Sequence, residues 1–265
     1  KTKKMDLAGI ISCAGVFSVF FGFMYGSFFG FEDVLKAIWL KPMNQMMDVP
    51  LVGRLNAVFV IAIGFGMFII LICMVFNIIN SIRRGDTEKT WFDSNAVAGL
   101  VFYGSIVLTI GLFISGKKLP AAAILVIMFG VPLLLMFLKE PLTNLVEKKS
   151  EILPEQKGMF FVQSFFELFE VLLSYLSNTL SFLRIGAFAV SHAAMMEVVL
   201  MLAGAANGGS PNWIVVVLGN IFVCAMEGLI VGIQVLRLEY YEIFSRFYAG
   251  NGREFKPFMK AAHKN

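Results

Sequence analysis

The chain has 265 residues, of which 58% are apolar and only 15% are charged. Soluble domains are on average about half apolar and about a quarter charged, and the mean hydropathy here is +0.79. The apolar residues form runs of about twenty rather than surface-helix stripes, so a soluble enzyme core is excluded. The net charge is +4. The basic residues lie between the apolar runs instead of in one patch, so no nucleic-acid partner is expected.

Six apolar runs predict an all-α, polytopic membrane protein with about six transmembrane helices. The first four runs are each long enough to cross a hydrocarbon layer of about 30 Å. They cover about 7–31, 57–79, 96–115 and 120–138. The last two, about 159–203 and 212–249, are each roughly twice as long as one crossing requires. We expect them to tilt, bend or project from the membrane as a hairpin around the turn at 203–211.

Three segments and one orientation follow from this pattern. Residues 1–158 hold the first four spans, 159–250 hold the two long helices, and 251–265 form a basic tail. With a cytoplasmic N-terminus and six spans, 15 basic residues lie on the cytoplasmic side and five lie outside. The positive-inside rule therefore predicts that both termini are cytoplasmic. The two remaining basic residues, Arg184 and Arg237, fall within the long helices.

Small residues in the apolar runs are interpreted as packing residues. The three cysteines, at positions 13, 73 and 224, lie in apolar stretches and are expected to be buried, with neither a disulfide framework nor metal-ligand spacing. Glycines at 22, 26 and 30 have the spacing of a close-packing ridge within the first helix.

No metal site, cofactor or nucleotide site is predicted in this chain. The only histidines are His192 and His263, the latter in the basic tail. The segment 111–118, GLFISGKK, lacks the Ser or Thr that follows the lysine in a phosphate loop, and it follows an apolar span instead of a strand.

A polar stripe runs along the fifth predicted helix. Its members are spaced 3, 4, 3, 4, 3 and 7 residues apart: Glu167, Glu170, Ser174, Ser177, Ser181, Arg184 and Ser191. This spacing places them on one helix face, with Asn178 and His192 beside it. Ionisable residues at membrane depth are costly unless they face a partner or water. The stripe is therefore the candidate functional face.

The sixth predicted helix repeats this pattern with spacings of 4, 3, 7, 3 and 4: Asn220, Cys224, Glu227, Gln234, Arg237 and Tyr241. In an antiparallel hairpin, the two arginines reach similar depths near mid-membrane. On their external side the hairpin places His192, Glu197, Glu227 and Gln234, and on their cytoplasmic side Glu167, Glu170, Glu239 and Glu242. The pattern predicts two polar half-paths separated by a positive barrier.

Simpler interpretations remain open for some of these residues. Arg237 could form an ordinary ion pair with Glu239 or Glu242. The four cytoplasmic-side glutamates could belong to a solvated helix face at the headgroups. Arg184 differs, because its own helix has no acid within two turns and its guanidinium stays charged at physiological pH. It therefore predicts a partner elsewhere.

Three segments resemble subunit a of V-type rotary ATPases, which is called subunit I in the bacterial and archaeal V/A-type enzymes. They are 180–195 (LSFLRIGAFAVSHAAM), 226–229 (MEGL) and 234–248 (QVLRLEYYEIFSRFY). The segment 21–30, FGFMYGSFFG, is similar to a third-span motif of the same family. The family has eight membrane helices and a large N-terminal cytoplasmic arm, so the resemblance implies that this chain is a C-terminal membrane portion.

The resemblance implies a stator subunit whose two long helices face a rotating ring of c-type proteolipid subunits. Arg184 and Arg237 match the family's intramembrane arginines, while Glu227 and His192 match positions of its non-cytoplasmic half-channel. Such a subunit couples ATP hydrolysis or synthesis on other subunits to translocation of H⁺ or Na⁺. The implied partners are the c-ring, the other stator and central-stalk subunits, the translocated ion and the lipid bilayer.

Two departures from eukaryotic members favour a prokaryotic plasma membrane. Gln234 stands where they carry a histidine, and Ile185-Gly186 stands where they carry Leu-Trp after the arginine. The external path would then hold Gln234, Glu227, His192 and Glu197. The candidates for the cytoplasmic half-channel are Glu167, Glu170, Ser174, Asn178, Ser181 and Tyr241.

A secondary ion transporter or channel, with Arg184 and Glu227 in its site, is the alternative function. The sequence has no inverted repeat and no interrupted hydrophobic segments of the kind that many transporters use for their binding sites. These features favour the rotary motor.

Overall fold

The computed structural model describes residues 2–27, 29–31, 38–39, 46–49, 53–118, 120–146, 157–205, 210–248 and 250. The predicted basic tail at 251–265, with His263, lies outside the described residues. Side chains are described from residue 8 onward, except at 48–49 and 157.

Long helices dominate the described chain. They are α1 (Thr2–Tyr25), α2 (Ala57–Arg84), α3 (Thr87–Trp91), α4 (Val97–Ile114), α5 (Ala122–Phe137), α6 (Lys139–Val146), α7 (Lys157–Ser181), α8 (Leu183–Leu202), α9 (Trp213–Leu238) and α10 (Ser245–Phe247). A π-helical turn, Glu239–Phe244, joins α9 to α10. Between α1 and α2, β1 (Met46–Val49) pairs antiparallel with β2 (Gly53–Asn56).

Five helical stretches within the described residues are long and apolar enough to cross a membrane. They are Ala8–Tyr25, Ala57–Arg84, Val97–Ile114, Gly158–Leu202 and Trp213–Phe247. The helices α5 and α6 meet at 73° and would add a sixth span if the bent pair crosses as one unit. The predicted all-α class with several apolar spans is confirmed.

The first apolar run does not form one helix over 7–31. Helix α1 ends at Tyr25, and Gly26 follows in a left-handed conformation (φ 68°) that glycine adopts without steric cost. The Gly26 N–H donates to the Gly22 carbonyl, 3.0 Å away. Gly30 also has a positive φ of 87°. Gly26 and Gly30 therefore lie in turns beyond α1. The prediction that the three glycines form a close-packing ridge within the first helix is wrong.

Helix α2 is the central element of the core. Its N-terminus is capped by Asn56, whose side chain accepts the Val58 N–H, and Gly85 closes its C-terminus in a left-handed conformation. Ile70 and Met74 on α2 are completely buried. They pack in a cluster that also includes Phe102 and Tyr103 of α4, Met136 of α5, Tyr175 of α7 and Leu238 of α9. This cluster fixes α7 and the end of α9 against the rest of the chain.

The fifth predicted helix consists of α7 and α8, which are separated only at Phe182. Phe182 has φ −73° and ψ −16°, close to 3₁₀ values. The two helices together form one 45-residue stretch long enough to span. Its break falls two residues before Arg184.

Only one of the three cysteines is buried as predicted. Cys73 lies in α2 within the core, whereas Cys13 in α1 and Cys224 in α9 are exposed on the isolated chain. The prediction is wrong for Cys13 and Cys224 because α1 and α9 present broad apolar surfaces outward. In the apolar 18-residue stretch of each helix, 0% of α1 and 11% of α9 is buried within the chain.

Candidate functional site

Helices α8 and α9 pack side by side and carry the residues predicted for the external path. Met196 and Val199 of α8 form a small buried cluster with Val223 of α9. A Cβ on Gly219 would lie only 2.5 Å from a methyl carbon of Val199, so this position on α9 requires glycine. The close approach brings polar side chains of the two helices within hydrogen-bonding reach.

His192 of α8 and Glu227 of α9 form the closest polar contact between these helices. The His192 Nδ1 atom lies 2.5 Å from a Glu227 carboxylate oxygen. The His192 side chain is 47% exposed and that of Glu227 is 19% exposed. A neutral histidine can share a proton with the carboxylate here, and a protonated one forms an ion pair with it. The pair can therefore hold or pass a proton at the surface of the hairpin.

Arg184 is half-buried near the start of α8 and has no carboxylate within ion-pair distance among the described residues. One of its terminal nitrogens is buried and makes no hydrogen bond to them. On α9, the Gln234 Oε1 atom is also buried without a hydrogen bond from the described part of the chain. Buried polar atoms without partners cost free energy. The Arg184 guanidinium and the Gln234 amide oxygen are therefore expected to hydrogen-bond to a group outside the described side chains.

Arg237, three residues after Gln234, has an exposed side chain. It forms no ion pair with either Glu239 or Glu242, although all three residues are described. The structure therefore gives no support to the simple ion-pair interpretation of Arg237. Two guanidinium groups remain without carboxylate partners within the described hairpin.

The cytoplasmic stripe on α7 divides into paired and open positions. Glu167 forms an ion pair of 2.8 Å with Lys139 of α6, and it accepts a hydrogen bond from Gln163. Glu170 and Ser174 are exposed, and Ser181 is half-buried. The Asn178 side-chain amide donates to the Ser174 hydroxyl over 3.2 Å. Tyr241 is 71% exposed.

A polar cavity of about 100 Å³ lies beside Ser174 and Asn178. Its other polar lining comes from the loop before α4 (Ser94 and Asn95), from α7 (Tyr175) and from α10 (Ser245 and Arg246). The cavity opens next to two residues predicted for the cytoplasmic half-channel, and it is large enough to hold water.

Arg246 is the main residue that sequence reasoning missed in this region. It is only 7% exposed, although the charge pattern placed it among the cytoplasmic-side basic residues. Its guanidinium donates to the Asn95 side-chain oxygen at 2.9 Å and to the Glu242 carbonyl at 3.2 Å, and it lies 5.8 Å from the Tyr175 ring centroid. The Tyr175 hydroxyl in turn donates to the Ser94 carbonyl.

Glu242 is also buried, at 4% exposure, with one carboxylate oxygen unpaired among the described residues. The solvated-face interpretation is therefore wrong for this glutamate. It lies four residues after the buried Leu238, a spacing that brings two side chains to the same helix face. Tyr241, four residues after the exposed Arg237, is exposed like that arginine.

Glu197, which is predicted to lie on the external side, is exposed on α8 and has no ion pair within the described regions. The structure thus brings His192 and Glu227 into contact, and it leaves Arg184 and Gln234 each with an unpaired buried atom. Glu197 is not brought into this arrangement. Within the described residues, no three His, Cys, Asp or Glu side chains are grouped so that they could hold a metal.

The fold and site define a class: an all-α protein with several apolar spans and ionisable residues along its last two long helices. Residues 139–260 match the model of the V-type ATPase 116kDa subunit family. The chain is similar to this family over that segment, which includes both long helices, and to A-type ATP synthase subunit I proteins over most of its length.

Relatives match over different shares of the chain. The A-type ATP synthase subunit I of Pyrococcus horikoshii is 25% identical over 265 residues, covering 95% of this chain and 36% of the relative. That of Saccharolobus solfataricus is 39% identical over 100 residues, 34% of this chain and 14% of the relative. The human V-type proton ATPase 116 kDa subunit a 3 is 32% identical over 129 residues, 44% of this chain and 15% of the relative. The chain thus spans well under half the length of these relatives.

Proposed function

We propose that this chain is the stator membrane subunit of a V/A-type rotary ATPase. It provides two ion half-channels, and its intramembrane arginines unload and reload the carboxylates of a rotating c-ring. ATP hydrolysis or synthesis proceeds on other subunits. The observation that carries this proposal is the half-buried Arg184, which has no carboxylate partner within the described residues. One of its terminal nitrogens is buried and makes no hydrogen bond to them.

The physical role of Arg184 follows from the cost of moving charge through lipid. A ring carboxylate that carries a proton or Na⁺ is neutral and can turn through the bilayer, whereas a bare carboxylate needs an opposite charge. Arg184 attracts the carboxylate and favours release of its ion. The same positive charge repels ions that would pass directly between the half-channels. Arg237 reinforces this field from α9.

The external half-channel is proposed to run past Gln234 and the His192–Glu227 pair towards Glu197. The 2.5 Å contact between His192 and Glu227 supports a proton-transfer role for the pair. The cytoplasmic half-channel is proposed to use Glu170, Ser174, Asn178, Ser181 and Tyr241, with Glu167 at its mouth. The polar cavity beside Ser174 and Asn178 supports this path.

Replacing Glu227 with glutamine is expected to slow ATP-driven ion transport by about tenfold without uncoupling it, because one positioned proton acceptor is lost while the arginines remain. Transport and ATP hydrolysis should be measured on the same reconstituted vesicles. Glu88→Gln is the matched control, since Glu88 lies on α3 outside both proposed half-channels, and it should leave transport unchanged. Unchanged transport in Glu227→Gln would remove Glu227 from the path.

The assembly and the membrane of this protein are part of the same proposal. Its partners are the c-ring, the other stator and central-stalk subunits, H⁺ or Na⁺, and the lipid bilayer. We propose a prokaryotic plasma membrane because of Gln234 and Ile185-Gly186, and cytoplasmic termini because basic residues concentrate on that side of the spans.

Co-purification tests the proposed assembly. The protein should be isolated from membranes in mild detergent in its complete native context. A ring of small proteolipid subunits together with soluble ATPase subunits is expected to co-purify in fixed stoichiometry. Isolation without them, with ion transport retained in vesicles, would contradict the motor and support a secondary transporter.

A further inference from the structure

Phe182, two residues before Arg184, packs very closely against Gly66 of α2. Phe182 is completely buried, and it is one of the largest fully buried side chains. A Cβ placed on Gly66 of α2 would overlap the Phe182 Cγ and Cδ2 atoms and would lie 2.6 Å from its Cβ. Because the Phe182 Cβ is itself too close, turning the ring alone cannot relieve the clash. The turn between α7 and α8 thus approaches α2 so closely that position 66 has room only for glycine.

The backbone around Phe182 forms a single 3₁₀ turn. The Phe182 N–H donates to the Thr179 carbonyl at 3.3 Å, and the Ile185 N–H donates to the Phe182 carbonyl at 3.1 Å. Both bonds join residues three apart. A 3₁₀ turn inside a long helix is a point where the helix can change direction or rotation. Phe182 therefore packs against α2 at the point where α8 can rotate relative to α7.

A second close contact holds α8 one turn further on. A Cβ on Gly186 would lie 2.9 Å from a ring carbon of Phe59 and 3.3 Å from its Cα atom. Residues 182 and 186 thus both face α2. Arg184 is two residues from each, and a shift of two residues turns a side chain roughly 200° around the helix. The two contacts hold one face of α8 and direct Arg184 to the opposite face.

We propose that Phe182, seated against Gly66, is a positioning residue that sets the rotation of α8 and so the direction in which Arg184 is presented. This inference rests on the proposed function, in which Arg184 meets a ring carboxylate. A side-chain tip lies about 5 to 6 Å from the helix axis, so a rotation of about 30° moves it by about 3 Å. A misplacement of about 1 Å in a reacting group can cost about a hundredfold in rate.

Gly66→Ala tests the positioning role, with Gly64→Ala as its matched control. Gly64 lies on the same helix, and a Cβ there meets nothing within 4 Å. In reconstituted complexes, Gly66→Ala is expected to lower ATP-driven transport per assembled complex at least tenfold, whereas Gly64→Ala stays within twofold. Unchanged transport per assembled complex in Gly66→Ala, with only a lower yield, would overturn the proposal.

Rotation can be read separately from stability with cysteines on either side of Arg184. Ile185 and Ala187 are both exposed, and lie about 100° to one side and about 60° to the other side of Arg184. Cys13 and Cys224 are first replaced with serine. Gly66→Ala is expected to change the ratio of the Ile185→Cys and Ala187→Cys cross-links to a cysteine on the outer ring helix at least twofold. An equal fall in both cross-links would overturn the positioning role.

Further variants keep the test decisive. If Gly66→Ala does not assemble, Phe182→Leu, which removes the ring but keeps Cβ and Cγ, should shift the same ratio, and an unchanged ratio would overturn the proposal. Arg184→Ala separates the two levels of inference. An inactive Arg184→Ala beside a fully active Gly66→Ala contradicts only the positioning role. A fully active Arg184→Ala contradicts the proposed function itself, and the positioning role with it.

Discussion

Replacing Arg184 with alanine is expected to abolish ATP-coupled ion transport, with a loss of at least a hundredfold, while the complex stays assembled. The ring carboxylate would lose the opposite charge that stabilises its ion-free form, and mutations of such preorganised charge contacts typically cost about 10²- to 10³-fold. Assembly should persist because Arg184 makes no ion pair within the described chain and is only half-buried. The measurement is transport in vesicles at equal complex content.

Arg184→Lys distinguishes charge from geometry. A lysine is a compact charge that cannot make a two-pronged contact with a carboxylate, and burial favours its neutral form. We expect this variant to fail or nearly fail as well. The matched control is Arg83→Lys, because Arg83 is exposed at the end of α2 and makes no ion pair in the described residues. Transport above half of the wild-type rate in Arg184→Ala would contradict the assignment.

Replacing Arg246 with methionine is expected to cause the largest loss of stability. Methionine retains an apolar stem but loses the hydrogen bonds to the Asn95 side chain and the Glu242 carbonyl, and the contact with the Tyr175 ring. Hydrogen bonds from charged donors are worth about 1.5 to 3 kcal/mol each, and the half-buried Asn95 side-chain oxygen would lose its donor. We expect the free energy of unfolding to fall by about 2 to 4 kcal/mol.

Thermal aggregation of the detergent-solubilised protein measures this effect as a lower apparent Tm. Arg83→Met is the control, because it removes the same group from an exposed position, and its Tm should stay close to that of the wild type. Equal Tm values for the two variants would show that Arg246 does not hold the end of α9 against α7.

The polar stripes could be predicted because a helix repeats every 3.6 residues wherever the backbone stays α-helical. On α7, Glu170, Ser174 and Ser177 are exposed, while Leu172 packs against the core. Glu242, interpreted as part of a solvated face, is buried instead, within a π-helical turn that follows the buried Leu238. Nothing in the order of residues 239–244 signals that turn.

Burial of charged residues was the second limit of sequence reasoning. Arg246 counts as a cytoplasmic-side charge in the topology pattern, yet Asn95, 151 positions away, supplies its hydrogen-bond acceptor. Tyr175 similarly reaches the Ser94 carbonyl across 81 positions. A single sequence does not reveal such distant pairs. The close contact between His192 and Glu227 was easier to anticipate, because the antiparallel hairpin places both on its external side.

Disulfide cross-linking between this chain and the outer ring helix tests the central claim most directly. Cysteines at Ser174, Ser177 and Arg184 are expected to form adducts with the ring. Leu176→Cys controls for exposure, because Leu176 is 59% exposed but lies about 100° away from Ser177 around α7. Leu172→Cys, on the core-facing side, should form none.

Ring adducts are expected from the stripe positions, and at most weak ones from the two control positions. Adducts formed mainly within the chain, from the stripe to Gln234 or Tyr241, would indicate a transporter cavity instead. Ring adducts from Leu172→Cys or Leu176→Cys, with none from Ser174, Ser177 or Arg184, would contradict the rotor-facing orientation of the stripe.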